Sequence, residues 1–268
     1  MPFTSDLHSR WAPKVNQAHP LSNGLVCCIV PRAGFMADIA RPRSTGLIGT
    51  ASASRFGDTI SGQSWRVGNS TGADIPETDW TSNAFTVTSI FELSGITGAS
   101  FVTPIRRRAY TSEAVNSGWE LQSRQVTNFS FNVFANNSAA SYVLGSTTTP
   151  ASGMWMLAGR SDGTTRHIFV NGISENSTTT NAVPLTAASG LVGETNSGSL
   201  NVYISCIWRR ALASAEIYDW YCNPFGLLEQ PQARKRYFGA VVTAAASSDI
   251  VPLYQQIGLG PTSYGLRV

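Results

Sequence analysis

The sequence predicts an all-β protein: an antiparallel two-sheet jelly-roll sandwich with one short helix near the C-terminus and irregular terminal arms. Three observations carry that expectation. Charged residues make up only 13% of the 268, so the Lys and Glu of exposed helix faces are scarce. Ser, Thr, Asn and 24 Gly take their place, and these residues are poor in helix interiors but good in turns and on sheet surfaces. Short apolar or alternating runs then recur at strand-length intervals, as in a sandwich or jelly roll. The length allows one to two domains and about three quarters of the unfolded surface to be buried, so neither a metal nor a disulfide is needed for folding.

Residues 1–22 hold Pro2, Pro13 and Pro20 and show no periodicity, which predicts an N-terminal arm. The jelly-roll domain is expected over residues 23–230. Residues 25–30 form an apolar run ended by Pro31, suited to a strand covered on both faces. Strands are also expected at 64–67 and 85–93. In the second, Phe85, Val87, Ser89, Phe91 and Leu93 share one face and Ala84, Thr86, Thr88, Ile90 and Glu92 the other, the alternation of a half-buried strand. Residues 100–106, 118–123 and 128–134 continue the series. Residues 155–160 and 166–170 flank Asp162-Gly163 and precede Asn171-Gly172, so a hairpin with a second turn is expected. A late strand fits 199–209. A short helix fits 214–221, with Glu216 at its third position and Ala213 as a cap that has no accepting oxygen. Asn223-Pro224 ends it. Residues 231–268 are expected to be a C-terminal extension.

Composition also excludes function classes. A net charge of +3, from 19 basic and 16 acidic residues, is too mild for a nucleic-acid or membrane-surface protein. No stretch approaches the ~18–20 apolar residues of a membrane span, and residues 1–11 lack the apolar segment of a signal peptide, so a protein made and kept in a cytoplasm is expected. Cys27, Cys28, Cys206 and Cys222 show neither a CxxC nor a Cys/His ligand spacing and are expected as small buried apolar residues.

Three blocks of short motifs follow one another along the chain. The early block is Asn23-Gly24-Leu25-Val26 with Trp65 later. The central block is Trp155, Ala158-Gly159, Asp162-Gly163, Phe169-Val170 and Asn171-Gly172. The closing block is Gly193, residues 204–208, Arg210-Ala211-Leu212, Glu216-Ile217 and Asn223-Pro224-Phe225. In this order the blocks resemble the laminin-G-like, concanavalin-A-like jelly-roll superfamily, in the version common among bacteriophage virion proteins; the resemblance spans about residues 23–228, and Ala213 replaces the usual hydroxyl residue before the closing helix.

No catalytic set emerges. Glucanases on a similar jelly roll place two carboxylates on alternating positions of one strand, whereas Glu92 and Glu120 each stand alone and are expected as solvated surface groups. His8, His19 and His167 lie away from any nucleophile elbow. Asp74, Glu77 and Asp79 form the densest acidic stretch, but their spacing matches no ligand pattern, so no metal and no other cofactor is expected.

The resemblance and the missing catalytic set imply a non-enzymatic structural protein of a tailed bacteriophage. It is expected as a decoration or cement protein on the virion head surface, assembled in the host cytoplasm. Its partners are then the major capsid protein, other virion proteins and copies of itself, with a trimer expected because threefold positions recur on icosahedral shells. The alternative is a carbohydrate-binding or adhesive module on the phage head or tail that contacts host glycans; a hydrolase with an unrecognised site ranks third. Neither a membrane nor a specific nucleic acid is expected as a partner. Candidate partner or glycan contacts are Trp11, Trp80 and Tyr110, with the basic clusters Arg106, Arg107, Arg108 and Arg234, Lys235, Arg236.

Overall fold

β-branched and aromatic residues in alternation, broken by Gly and Asn at the turns, put most of the chain into strands. The computed structural model describes residues 14–32, 35–40, 43–44, 47–48, 55–59, 62–67, 72–75, 83–95, 101–112, 115–124, 127–134, 141–179, 190–195 and 199–228. The chain divides into two units, Met1–Pro231 and Gln232–Val268, and every described residue belongs to the first.

The early strands are β1 (Leu25–Arg32), β2 (Phe35–Asp38), β3 (Arg43–Ser44), β4 (Leu47–Ile48), β5 (Arg55–Thr59), β6 (Gly62–Val67) and β7 (Gly72–Ile75). The middle strands are β8 (Ala84–Ser94), β9 (Phe101–Ser112), β10 (Val115–Arg124), β11 (Asn128–Phe134) and β12 (Ser141–Gly145). Then come β13 (Gly153–Asp162), β14 (Thr165–Val170), β15 (Ile173–Thr179), β16 (Gly190–Thr195), β17 (Ser199–Trp208) and the helix α1 (Ser214–Cys222). The first sheet runs β15-β14-β13-β8-β17-β1-β2-β3, with β6 on β17 and β5 on β6; the second runs β12-β11-β10-β9-β16-β7-β4. Neighbours distant in sequence pair antiparallel, β8 with β17, β1 with β17 and β9 with β16, which is the jelly-roll arrangement.

The facing sides of the two sheets bury one aromatic core. Phe85 stacks on Trp119 at 5.9 Å and meets Phe131 edge-on at 6.0 Å, while Phe91 meets Phe129 at 6.3 Å. Gly159 makes this approach possible: a Cβ there would lie 2.5 Å from the Phe131 ring.

A second apolar layer covers the outer side of the first sheet. Ile217 and Trp220 of α1, Leu227, Leu228, Val15 and Leu21 pack there with Ile90, Met156, Phe169 and Trp208. This corrects the expectation of a half-buried β8: Thr86 and Thr88 on its supposed solvent side are fully buried. Thr86 Oγ1 donates to the Arg210 carbonyl and accepts from the Leu212 N–H, which satisfies it where water is excluded.

The same layer revises the reading of the N-terminal segment. Val15 bridges to Leu228, residues 20–22 form a 3₁₀ turn, and the Trp208 indole donates to the Leu21 carbonyl at 2.7 Å. From Val15 onward the expected arm is part of the packed fold, because its two buried apolar side chains fill the outer layer.

Local chemistry accounts for the turns and the helix. Asn171 and Gly172 both adopt positive φ, 49° and 80°, as a type I′ turn requires. In the preceding hairpin the loop is Gly163-Thr164 rather than Asp162-Gly163: only Gly163 has positive φ, and the Asp162 carboxylate accepts from the N–H groups of Thr164 and Thr165. Helix α1 extends one residue past the expected end. Ala213 offers no side-chain cap, so the N-terminus relies on the Glu216 carboxylate accepting from the Ala213 N–H. Cys27 and Cys28 point to opposite buried faces of β1, and Cys28 faces Cys206 with sulfurs 3.3 Å apart. Cys222 departs from the expected burial: it lies on the solvent side of α1 and is exposed.

Candidate ligand-binding site

The outer layer does not cover the first sheet completely. Where it ends, a cavity of about 240 Å³ opens between the sheet and the segment carrying α1. Met154 and Met156, two residues apart on β13, share the outward face with Ile90 of β8 and form the floor with Tyr203 of β17. Tyr203 reaches this face because β17 bulges between Val202 and Ile204; the extra residue lets Tyr203 and Ile204 both join the outer layer.

Tyr221 of α1 and Phe225 of the following 3₁₀ turn wall the cavity, and Asn171 of the type I′ turn closes one side. The backbone holds these walls in place. The Asn171 N–H donates to the Met156 carbonyl, and its Oδ1 accepts from the Met156 N–H. Gly172 lies under the ring of Tyr221, where a Cβ would come within 3.1 Å.

The rim is apolar and open: Met154, Tyr221 and Phe225 are 43%, 39% and 39% exposed. Beside it lies one polar group. Glu92, opposite Met154 on β8, accepts at Oε2 from Asn201 Nδ2 and from the Tyr203 hydroxyl, each at 3.0 Å. Glu92 is thus a hydrogen-bonded carboxylate fixed at the pocket edge and not the free surface group expected. Glu120 also departs from that expectation. It is 3% exposed on the second sheet and accepts from Asn132 Nδ2 at 2.8 Å. The two glutamates occupy different sheets, so they cannot flank one glycosidic bond together.

The expected site residues do not converge on this pocket. Arg106 is half-buried and Arg107 only 4% exposed, since consecutive strand residues point to opposite faces, so this run is not one basic patch. Tyr110 and Arg108 lie in β9, but their side chains fall outside the described residues, as do Trp11, Trp80, Arg234, Lys235 and Arg236 entirely. Asp74 is in β7 with its side chain outside the described residues, which also exclude Glu77 and Asp79. Among the described residues no group of three or more His, Cys, Asp or Glu side chains is placed to hold a metal, and no helix is long and apolar enough to cross a membrane.

Trp155, expected as core, is half-buried. Its ring packs on Phe129 at 4.9 Å, its Nε1 donates to the Ala151 carbonyl, and it contributes to the pocket lining. Other pocket residues stand in the sequence as alternate methionines, Met154 and Met156, and as Tyr221 shortly before Pro224-Phe225. Only cross-strand register joins them.

Comparison with solved structures finds the same fold in bacterial toxins. The binding domain of paraclostridial mosquitocidal protein 1 superposes with a TM-score of 0.59 at 14% identity, covering 76% of this chain and 53% of that one. The binding domain of botulinum neurotoxin serotype G gives 0.58 at 12%, covering 74% and 50%. The ligand-binding domain of botulinum neurotoxin serotype D, in complex with N-acetylneuraminic acid, gives 0.59 at 12%, covering 75% and 51%. The chain thus spans about half the length of these structures, and at such identities the likeness is one of fold. Curated protein sequences provide no match. Residues 67–218, more than half of the chain, match the family model Laminin_G_3, described as the concanavalin A-like lectin/glucanases superfamily. With its two antiparallel sheets and short closing helix, the chain belongs to the Laminin_G_3 family of that superfamily.

Proposed function

We propose that this chain is a non-catalytic recognition module that receives one sugar ring of a surface glycan in the pocket between Met154, Tyr203, Tyr221 and Phe225. The observation that carries this reading is an open cavity with exposed aromatic walls beside a fixed carboxylate. A sugar ring has an apolar C–H face and a hydroxyl edge; aromatic rings suit the first, while Glu92 and Asn171 suit the second. The cavity is smaller than the ~300–1,000 Å³ of drug-sized sites, which fits a single ring better than an extended chain. A fold relative is complexed with N-acetylneuraminic acid, and that makes this sugar a first probe. The test is a glycan array probed with the full chain, followed by titration of the best glycan. Saturable binding is expected, weakened about tenfold or more by Tyr221→Ala or Phe225→Ala. Absence of saturable binding to any glycan overturns the reading.

A second reading has its own observation. Ile173 and Tyr218 are also exposed, 63% and 50%, so apolar side chains continue beyond what one sugar ring covers, as at a protein interface. Under this reading the chain is the decoration or cement protein of a bacteriophage head, held on the major capsid protein and on neighbouring copies. Cosedimentation with empty capsids that is lost in Ile173→Asp, without any glycan signal, selects it over the first.

A further inference from the structure

The pocket uses neither of two cysteines that the outer layer buries. Cys28 of β1 and Cys206 of β17 are 178 positions apart in sequence, stand directly opposite each other on adjacent antiparallel strands, and bring their sulfurs to 3.3 Å. Both residues are fully buried. Cys27 points into the core between the sheets and Cys222 lies exposed on α1, so neither competes for this contact.

The backbone fixes the geometry of the pair. The Cys28 N–H donates to Asp38 Oδ1 at 3.0 Å, and its carbonyl accepts from the Ile39 N–H at 2.9 Å. Both groups are turned toward β2, which leaves none for β17. Cys28 and Cys206 are therefore a non-hydrogen-bonded pair, the narrow kind in which facing Cα atoms lie about 4.5 Å apart. That separation falls within the roughly 4.4–6.8 Å a disulfide spans, so side-chain rotation suffices to close the sulfurs to about 2.05 Å.

Burial governs when such a bond can form. Loss of hydration, together with the hydrogen bond to Cys28, holds the Cys206 thiol well above its ordinary range, so in the folded chain it is protonated and a poor nucleophile. It is also closed to any oxidant there. In the unfolded chain both thiols are hydrated and reactive, and folding is the event that brings them together.

We infer that Cys28 and Cys206 form a latent cross-strand disulfide, made while the chain folds and only where a low-molecular-weight disulfide such as oxidised glutathione is present. The Cys28 thiolate attacks one sulfur of that disulfide and expels one thiol. As β17 docks on β1, the Cys206 thiolate attacks the Cys28 sulfur and expels the second. The chain gives up two electrons and two protons, and one small disulfide becomes two thiols. The bond ties the first strand to the last and stabilises by restricting the unfolded chain, whatever ligand the pocket takes.

The experiment unfolds the full chain in urea with reductant and refolds it either with reduced and oxidised glutathione or with dithiothreitol. Each product is then denatured, alkylated and mapped by peptide mass. After glutathione, the expected result is a linked pair of Cys28 and Cys206 peptides, lighter by two hydrogens, and a melting temperature about 5 °C or more above that of the dithiothreitol product. Cys206→Ala should abolish both differences; if that variant does not fold, the peptide map of the parent decides alone. Oxidised glutathione added to the folded dithiol chain should modify Cys222 and leave the pair reduced. Free Cys28 and Cys206 after oxidative refolding, or a bond from either to Cys27 or Cys222, overturns the inference. Cross-linking of the folded chain as fast as during refolding overturns its timing, and linkage without a higher melting temperature overturns its stabilising role.

Discussion

Arg210 does three jobs with one side chain. Its Nη1 and Nη2 donate to the two Glu216 oxygens at 2.8 Å each, and its Nε donates to the Asn23 carbonyl, so one guanidinium ties the entry of β1 to the first turn of α1. A planar fork is what this geometry needs, and Lys cannot supply it. The Arg210 guanidinium holds the Glu216 carboxyl below its ordinary range, the Ala213 N–H adds to this, and partial burial opposes it. Because the folded value lies below the unfolded one, this stabilisation is complete above about pH 4.3 and is lost as pH falls through the folded value. Glu216→Gln should therefore lower stability by about 1 kcal/mol at pH 7, with the gap closing in acid. Urea titrations at neutral pH and below pH 4 read both arms; a deficit that persists unchanged in acid contradicts the ion-pair account.

At the scale of elements, close approach of β13 to β11 depends on Gly159. Gly159→Ala places a methyl against the Phe131 ring, and overpacking of this kind costs about 1–3 kcal/mol. Chemical denaturation should show that loss with an unchanged m-value, whereas a neutral result means the sheets have slack here. A second device links the segment after β12 to β15. The Glu175 carboxylate accepts from the N–H and hydroxyl of both Thr147 and Thr148. Burial alone raises this carboxyl, but the four hydrogen bonds outweigh it and hold it below its usual range. Again the contribution exists above the unfolded value and disappears as pH drops through the folded one. Glu175→Gln should speed amide exchange at Thr147 and Thr148 at pH 7 while leaving the core strands protected; unchanged exchange at both threonines overturns this.

For the whole molecule, the outer layer decides what a truncation does. Trp208 meets Trp220 edge-on at 6.2 Å and also bonds the Leu21 carbonyl, so the N-terminal stretch, β17 and α1 form one cooperative unit. Removing residues 1–20 takes Val15 from this layer and should lower stability by about 2 kcal/mol or more, beyond any effect on partner binding. Removing residues 1–13 leaves Val15 in place. Comparing the melting temperatures of the two deletions checks this, and equal values refute it. Particle attachment is therefore best assayed with the shorter deletion.

Fold class was legible because period-two alternation and turn chemistry are local. Residues 128–134 matched β11, and Asn171-Gly172 demanded positive φ wherever it lay. The closing block was legible too, since Arg210, Glu216 and Asn223 act within a few residues of one another. What the sequence could not disclose was the partner of each face. Thr86 and Thr88 look like solvent positions but are buried, Thr86 against the backbone of Arg210 and Leu212, and Glu92 looks isolated until β17 brings Asn201 and Tyr203 beside it. The pocket unites residues from Ile90 to Phe225, which only the crossing of β8, β13 and β17 makes neighbours. Local pattern alone determined that two sheets form and which residues turn the chain. Tertiary packing decided which outer surfaces are closed and which stay open, because closure depends on contacts between segments more than a hundred residues apart.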